Sequence, residues 1–141
     1  MSHNSRYTVA IHILTLLAYG GEERLTSEFI AGSVNTNPVV IRRLLKALRA
    51  ANLVESKGGL GGGWQLARPA RGITLRDVYI ATEGKSLFPL HPNTPNQCCP
   101  VGASIQSALR SHFDDARHAL ETSLGGTTIA DLVKEVQVAE K

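Results

Sequence analysis

Five of the six residues from Gly58 to Gly63 are glycine, and the run lies between two short strand-like pieces, Val54–Lys57 and Trp64–Ala67. A glycine run permits positive φ and close approach of one backbone to another. Two strands joined by such a run close into a β-hairpin. Upstream stands a basic amphipathic segment, Pro38–Ala51, preceded by a shorter helical one. Helix, turn, helix and hairpin, in that order, make a winged helix-turn-helix, with the hairpin as its wing. The expected fold class is mainly α with a small β-hairpin: a winged helix-turn-helix plus a long dimerisation helix. The partner this order points to is double-stranded DNA.

The segment that would read the DNA begins with a strong start signal, the capping side chain of Asn37 followed by Pro38 at the first helical position. Helical spacing buries Ile41, Leu44, Leu45 and Leu48. It leaves Arg42, Lys46 and Arg49 on the other face, with Arg43 nearby. The first turns of such a helix reach base edges, so Val39, Val40, Arg42 and Arg43, next to the cap Asn37, are the base-reading candidates. Lys46 and Arg49 lie further along and are expected on phosphates. In the wing, Lys57 supplies charge, and Gly59, Gly61 and Gly62 allow close approach to a minor groove or its flanking phosphates. Trp64 is expected to anchor the hairpin by packing.

Around this centre the chain reads as further helices. Ser5–Tyr19 carries apolar residues at Tyr7, Ala10, Ile11, Leu14, Leu17 and Ala18 and stops at Gly20-Gly21. Thr26 caps Ser27–Ser33, Thr74 caps Leu75–Thr82, and Thr128 caps Ile129–Val136. The stretch from Lys85 to Asn96 contains Pro89, Pro92 and Pro95 and reads as a loop. A long helix then runs from Val101 to Leu124. Its apolar stripe is Val101, Ile105, Ala108/Leu109, Phe113, Ala116, Ala119/Leu120 and Leu124. A helix of that length spans about 36 Å, and a small chain has little core to cover it. Ile105, Leu109, Phe113, Ala116 and Leu120 are therefore expected to form the seam of a homodimer. Packing back on the first helix is the simpler alternative. The expected organisation is a DNA-binding domain over 1–85, then a loop, the long helix and a short C-terminal helix over 86–141.

Composition agrees with this division. Eleven Lys and Arg face six Asp and Glu in residues 1–85, against four and six in residues 86–141. A basic half is the electrostatic footprint of a phosphate binder. No apolar run approaches a membrane span, and the N-terminus lacks a signal-peptide pattern. A cytoplasmic protein without membrane contact is expected. Two adjacent cysteines, Cys98 and Cys99, exclude a disulfide framework. Cys99 stands at the expected N-cap of the long helix with Pro100 after it. The positive helix end favours a thiolate there, which makes Cys99 a redox-sensing candidate and Cys98 its resolving neighbour.

The segment from Pro38 to Thr74 closely resembles bacterial winged-helix regulators of the IscR, NsrR and CymR type, the Rrf2 family. The resemblance rests on Pro38, the helix Leu44–Leu48, Leu53-Val54, the wing Gly59-Leu60-Gly61-Gly62-Gly63-Trp64, Leu66-Ala67-Arg68, Ile73-Thr74-Leu75 and Asp77-Val78. The opening Ser5-Arg6-Tyr7 also resembles the family's start. This likeness implies homodimeric, sequence-specific transcription regulators, usually repressors. The family's wing carries an arginine before its first glycine and a tyrosine after its last. Here Gly58 and Trp64 take those places, with Lys57 one residue earlier. Iron–sulfur members carry three spaced cysteines before the long helix. Only Cys98 and Cys99 occur here, so the stretch Asn96 to Gly102 resembles a cluster-free branch and no cofactor is expected.

Other chemistries fit less well. The glycine run lacks the Gly-Lys-Ser/Thr of a phosphate loop and leads into a strand. His12 lies among apolar residues, as a core or interface histidine would. His112 and His118 are six apart, which does not bring two metal ligands to one helix face. Asp114-Asp115 point about 100° apart on a helix, and no hydrolytic constellation accompanies them; the chain is not expected to be an enzyme. Two alternatives to thiol control of a DNA-binding regulator stay open. One is a metal ion, cluster or small ligand as effector; a metal held by His91 with the cysteines across a dimer is one form of it. The other is a winged-helix module that binds protein.

Overall fold

The computed structural model describes residues 5–84 and 87–140. His3 and Lys85, the latter the last residue of the expected DNA-binding half, lie outside them. In order, the elements are α1 (Arg6–Tyr19), α2 (Ser27–Val34), α3 (Pro38–Ala50), β1 (Val54–Lys57), β2 (Gly63–Leu66), α4 (Leu75–Glu83), α5 (Pro100–Leu124) and α6 (Ile129–Ala139). This is the expected mainly helical winged helix-turn-helix with one long additional helix. The chain forms two compact units, one of residues 1–84 and 124–141, the other of residues 85–123.

In the first unit the helix ends are fixed by their own sequence. The Asn37 carboxamide accepts the Val39 N–H at 2.8 Å, and the Thr26 hydroxyl accepts the Phe29 N–H at 3.1 Å. Thr74 with Asp77 and Thr128 with Asp131 form reciprocal capping boxes. The core gathers Ile13, Leu14 and Leu17 of α1, Ile30 of α2, and Ile41, Leu44, Leu45 and Leu48 of α3, with Leu53, Val54, Ile73, Val78 and Ile129. Ile13 is fully buried although the expected face of α1 leaves it out, while Tyr7, Ile11 and Ala18 are only partly buried. The reason is that α1 packs against α2, α3, α4, α6 and β2 at once, so its buried sector is wider than one stripe. His12 is exposed, not a core residue, and its Nε2 lies 2.9 Å from the Ser33 hydroxyl. The Tyr7 hydroxyl donates to the Leu75 carbonyl at 2.6 Å. Burial, then the neighbouring Tyr79, pushes the Tyr7 hydroxyl up to about 12.

α6, which the sequence groups with the second half, packs on α1. Two backbone bonds hold its start: Ile129 N–H to Ile73 O at 2.9 Å, and Leu75 N–H to Thr127 O at 2.9 Å. The caps of α4 and α6 thus form one antiparallel bridge.

The wing pairs Val54 with Leu66 and Lys57 with Gly63. Its inner strand is also tied to Leu25, because Trp64 N–H donates to Leu25 O at 2.8 Å and Leu25 N–H to Trp64 O at 3.0 Å. Gly63 makes this approach possible. Its φ is +140°, and a Cβ there would stand 2.8 Å from the Leu25 carbonyl oxygen. Gly63→Ala is therefore expected to lower stability by about 1–3 kcal/mol, read as a lower urea midpoint at unchanged slope. An unchanged midpoint would mean that Leu25 and the wing separate at no cost.

In the second unit, the turn before α5 closes on Asn96. Its carboxamide accepts the Cys98 N–H at 2.9 Å and its backbone carbonyl accepts the Cys99 N–H at 3.2 Å. A Cβ at Gly102 would come within 2.2 Å of that carbonyl, so the Cys-Pro-Val-Gly turn requires glycine at its fourth place. Phe88 packs on Phe113 with ring centroids 5.1 Å apart. None of the 25 residues of α5 is buried.

Candidate nucleic-acid interface

α3 packs one face against α1, α2, α4 and β1 and leaves its opposite face to solvent. Arg42, Arg43, Lys46 and Arg49 are all exposed. That outcome follows from spacing, since Ile41, Leu44, Leu45 and Leu48 take the buried positions and each cation falls between them. At the start of the helix Asn37 and Val39 are exposed, while Val40 is half-buried against the core. Val39 thus presents apolar surface to solvent, with 47% of it exposed.

The four cations have different surroundings. Arg42 Nη2 donates to Glu28 Oε1 of α2 at 2.6 Å. Arg43 lines a small hollow of about 200 Å³ together with Arg6, Val40 and Leu44. The Nε of Arg6 is buried and has no hydrogen-bond partner among the described residues. Two arginines and two apolar residues thus line one hollow. Arg6 was not among the contact residues expected from the sequence, although a cation in the first turn of α1 was visible there. Arg49 reaches the wing: its Nη1 donates to the Ser56 hydroxyl at 3.3 Å, and its guanidinium lies 5.5 Å from the centre of the Trp64 ring. A cation over an indole at a partly exposed site contributes about 0.5–1 kcal/mol. Trp64 is half-buried and packs against the core, in the anchoring place expected of it.

Lys57 ends β1 and is exposed, and Gly59, Leu60 and Gly61 form the exposed tip, with Gly62 partly covered behind them. The site therefore places a cationic helix face, a helix N-terminus and a thin glycine-rich loop on one compact unit. Such an arrangement can meet a polyanion along a groove.

The match of residues 3–135 to the Rrf2 model, described as iron-dependent transcriptional regulators, decides the affiliation. The chain belongs to the Rrf2 family. It is similar to YwnA of Bacillus subtilis, which bears the name of an HTH-type transcriptional regulator, at 41% identity over 134 residues, 94% of this chain and 98% of YwnA. IscR of Cereibacter sphaeroides is 27% identical over 135 residues, covering 95% of this chain and 86% of IscR. Among solved structures, CymR, the global cysteine regulator of B. subtilis, superposes with a TM-score of 0.71 at 25% identity, over 96% of both chains. The Rrf2 chain is thus a transcriptional regulator with a DNA-binding fold, not an enzyme. Among the described residues no helix is long and apolar enough to cross a membrane.

The iron in the family description finds no matching donor set among the described residues. Iron–sulfur clusters take three or four convergent thiolate or imidazole ligands. Here Cys98 and Cys99 are the two thiols, adjacent and exposed. Among the described residues no group of three or more His, Cys, Asp or Glu side chains converges.

At the start of α5, Cys99 has its carbonyl accepting the Ala103 N–H at 2.8 Å, as an N-cap residue does. The free backbone N–H groups of Gly102 and then Val101 hold its thiol below the usual range.

Proposed function

We propose that this Rrf2 chain is a homodimeric, sequence-specific repressor whose α3 enters the major groove and whose wing lies along the adjacent minor groove or its phosphates. What carries the reading is the exposed cationic face of α3 beside the glycine-tipped wing. Asn37, Val39, Val40, Arg42 and Arg43 take the base-edge end, and Lys46 and Arg49 the phosphate end. Arg6 joins Arg43 on a phosphate. Lys57, Gly59, Gly61 and Gly62 form the wing contact. The test is selection of bound duplexes from fragmented host genome, followed by titration at several salt concentrations. Enrichment of a sequence with two related halves, and a log–log salt slope of several units, is expected. Recovery without sequence preference, at wild-type concentrations in the micromolar range, would overturn it.

The regulatory part of the proposal concerns Cys99. Its thiolate attacks a peroxide oxygen, giving sulfenic acid and releasing hydroxide or alkoxide. A second thiol then displaces water to form a disulfide. A disulfide within the adjacent pair is strained, so a bond to a second copy is the easier product. Either product changes the base of α5 and, through it, the spacing of two recognition helices. In a Cys98→Ser protein the remaining thiol is expected to titrate below about 8.5, so its alkylation rate reaches half-maximum at lower pH than a free thiol's. Diamide or peroxide should weaken DNA binding, and reductant should restore it. Ordinary titration together with oxidant-insensitive binding would leave Cys99 a turn residue only.

A further inference from the structure

Four cations line the exposed face of α3, but an acid has been placed against one of them. Glu28 lies in the first turn of α2. Its Oε1 meets Arg42 Nη2 at 2.6 Å, across the helix-turn-helix. Both side chains are exposed, Arg42 at 48% and Glu28 at 65%, so the pair adds little to stability. Its position, on the face that would meet DNA, is unfavourable for a simple phosphate binder: a carboxylate there repels the backbone and cancels one cation.

We infer that Glu28 is a specificity-positioning residue, which holds the Arg42 guanidinium as a base reader and withholds it from phosphates. This rests on the DNA-binding proposal above. A guanidinium has five N–H donors, and one bond to Glu28 leaves the others for a base edge. Held in a contact ion pair, Arg42 displaces no counterion when a duplex arrives, so it adds nothing to sequence-independent attraction. On a wrong base it cannot turn to a phosphate without stranding Glu28 against the DNA's negative charge. The correct base leaves the pair intact. Its own backbone N–H and then Arg42 hold the Glu28 carboxyl below the usual range, so it stays ionised in the pair. Among the described residues Arg43 and Lys46 make no such pair with an acid, so the division between reading and attraction follows the partners of each cation.

The experiment compares wild type with Glu28→Gln, which keeps shape and removes charge, on two probes. One is a duplex selected by the wild-type protein from a random-sequence library, and the other a scrambled duplex of equal composition. Releasing one cation onto a phosphate steepens the salt slope on scrambled DNA by about 0.9 and tightens binding about eightfold at 0.1 M salt. Binding to the selected duplex should not tighten comparably, so the ratio between the probes falls. The same substitution is then made beside Arg42→Ala. If Glu28 acts through Arg42, its effect on slope and ratio disappears there. A full effect surviving without Arg42 would show plain repulsion by the carboxylate and overturn the inference. So would an unchanged ratio and slope in Glu28→Gln alone. A library that yields no enriched duplex with the wild-type protein would instead overturn the DNA-binding proposal itself.

Discussion

Leu109→Glu is expected to convert the protein to monomers at micromolar concentration and to weaken operator binding by two orders of magnitude or more. α5 has 25 residues and none is buried; Val101 keeps 66% of its surface exposed and Ile105 37%. Helices hold most of their stability through a packed apolar face, so an unburied stripe of this length calls for a second copy. Under a two-fold axis each substitution acts twice. Two carboxylates in the seam would each lose hydration without a partner, at several kcal/mol apiece. Separated subunits also lose the effective concentration that joins two half-sites, which is worth about 10²–10⁴ in affinity. The core of the first unit contains no residue of α5, so the winged helix should survive and its helical signal with it. Sedimentation velocity checks the assembly state, and a gel shift checks the DNA. Arg110→Glu, one residue off the seam, serves as the control that stays dimeric. The prediction fails if wild type already sediments as a monomer, or if the Leu109→Glu protein remains a dimer.

What the sequence made legible was whatever local chemistry decides. Asn37 before Pro38, Thr26, Thr74 and Thr128 each announced a helix start, because a cap depends on residues two or three places away. The alternation of Leu44, Leu45 and Leu48 with cations announced both faces of α3. The glycines announced the wing. Features made by partners distant in sequence were not legible. Leu25 gives no sign of bonding to Trp64, 39 residues later. His12 sits among apolar neighbours in sequence and yet faces solvent, since α1 carries apolar residues on most of its circumference. The packing of the last helix on α1 was not legible for a related reason: its start is held by the backbone bridge between Thr74 and Thr128, to which side-chain patterning is blind. The Glu28–Arg42 pair has the same origin, as it joins two helices across a turn. Its residues were visible as charges, but their pairing was not.

Arg42→Ala is expected to cost about 1–3 kcal/mol on the selected duplex, roughly five- to 150-fold, and to relax preference at a single position of each half-site. The reason lies in how the cations of α3 are held. Lys46 projects from the exposed face as a flexible ammonium, and its attraction to phosphate does not depend on base identity. Lys46→Ala should therefore weaken all duplexes by a similar factor and reduce the salt slope by about one unit. Arg42 is planar and anchored at one nitrogen by Glu28, so its loss removes a directed pair of donors and leaves the slope nearly as it was. The two substitutions thus separate on two axes, preference and slope, and a merely unfolded variant would fall on neither. Removing Arg43 along with Arg42 adds the loss of the hollow it shares with Arg6, and the slope should then drop as well. Selecting duplexes with each variant and comparing the base frequencies reads the first axis; titration from low to high salt reads the second. Base frequencies and affinities unchanged in the Arg42/Arg43 double alanine protein would mean that α3 is not the reading helix, and that the cationic face is a solvated surface beside a wing that binds by other means.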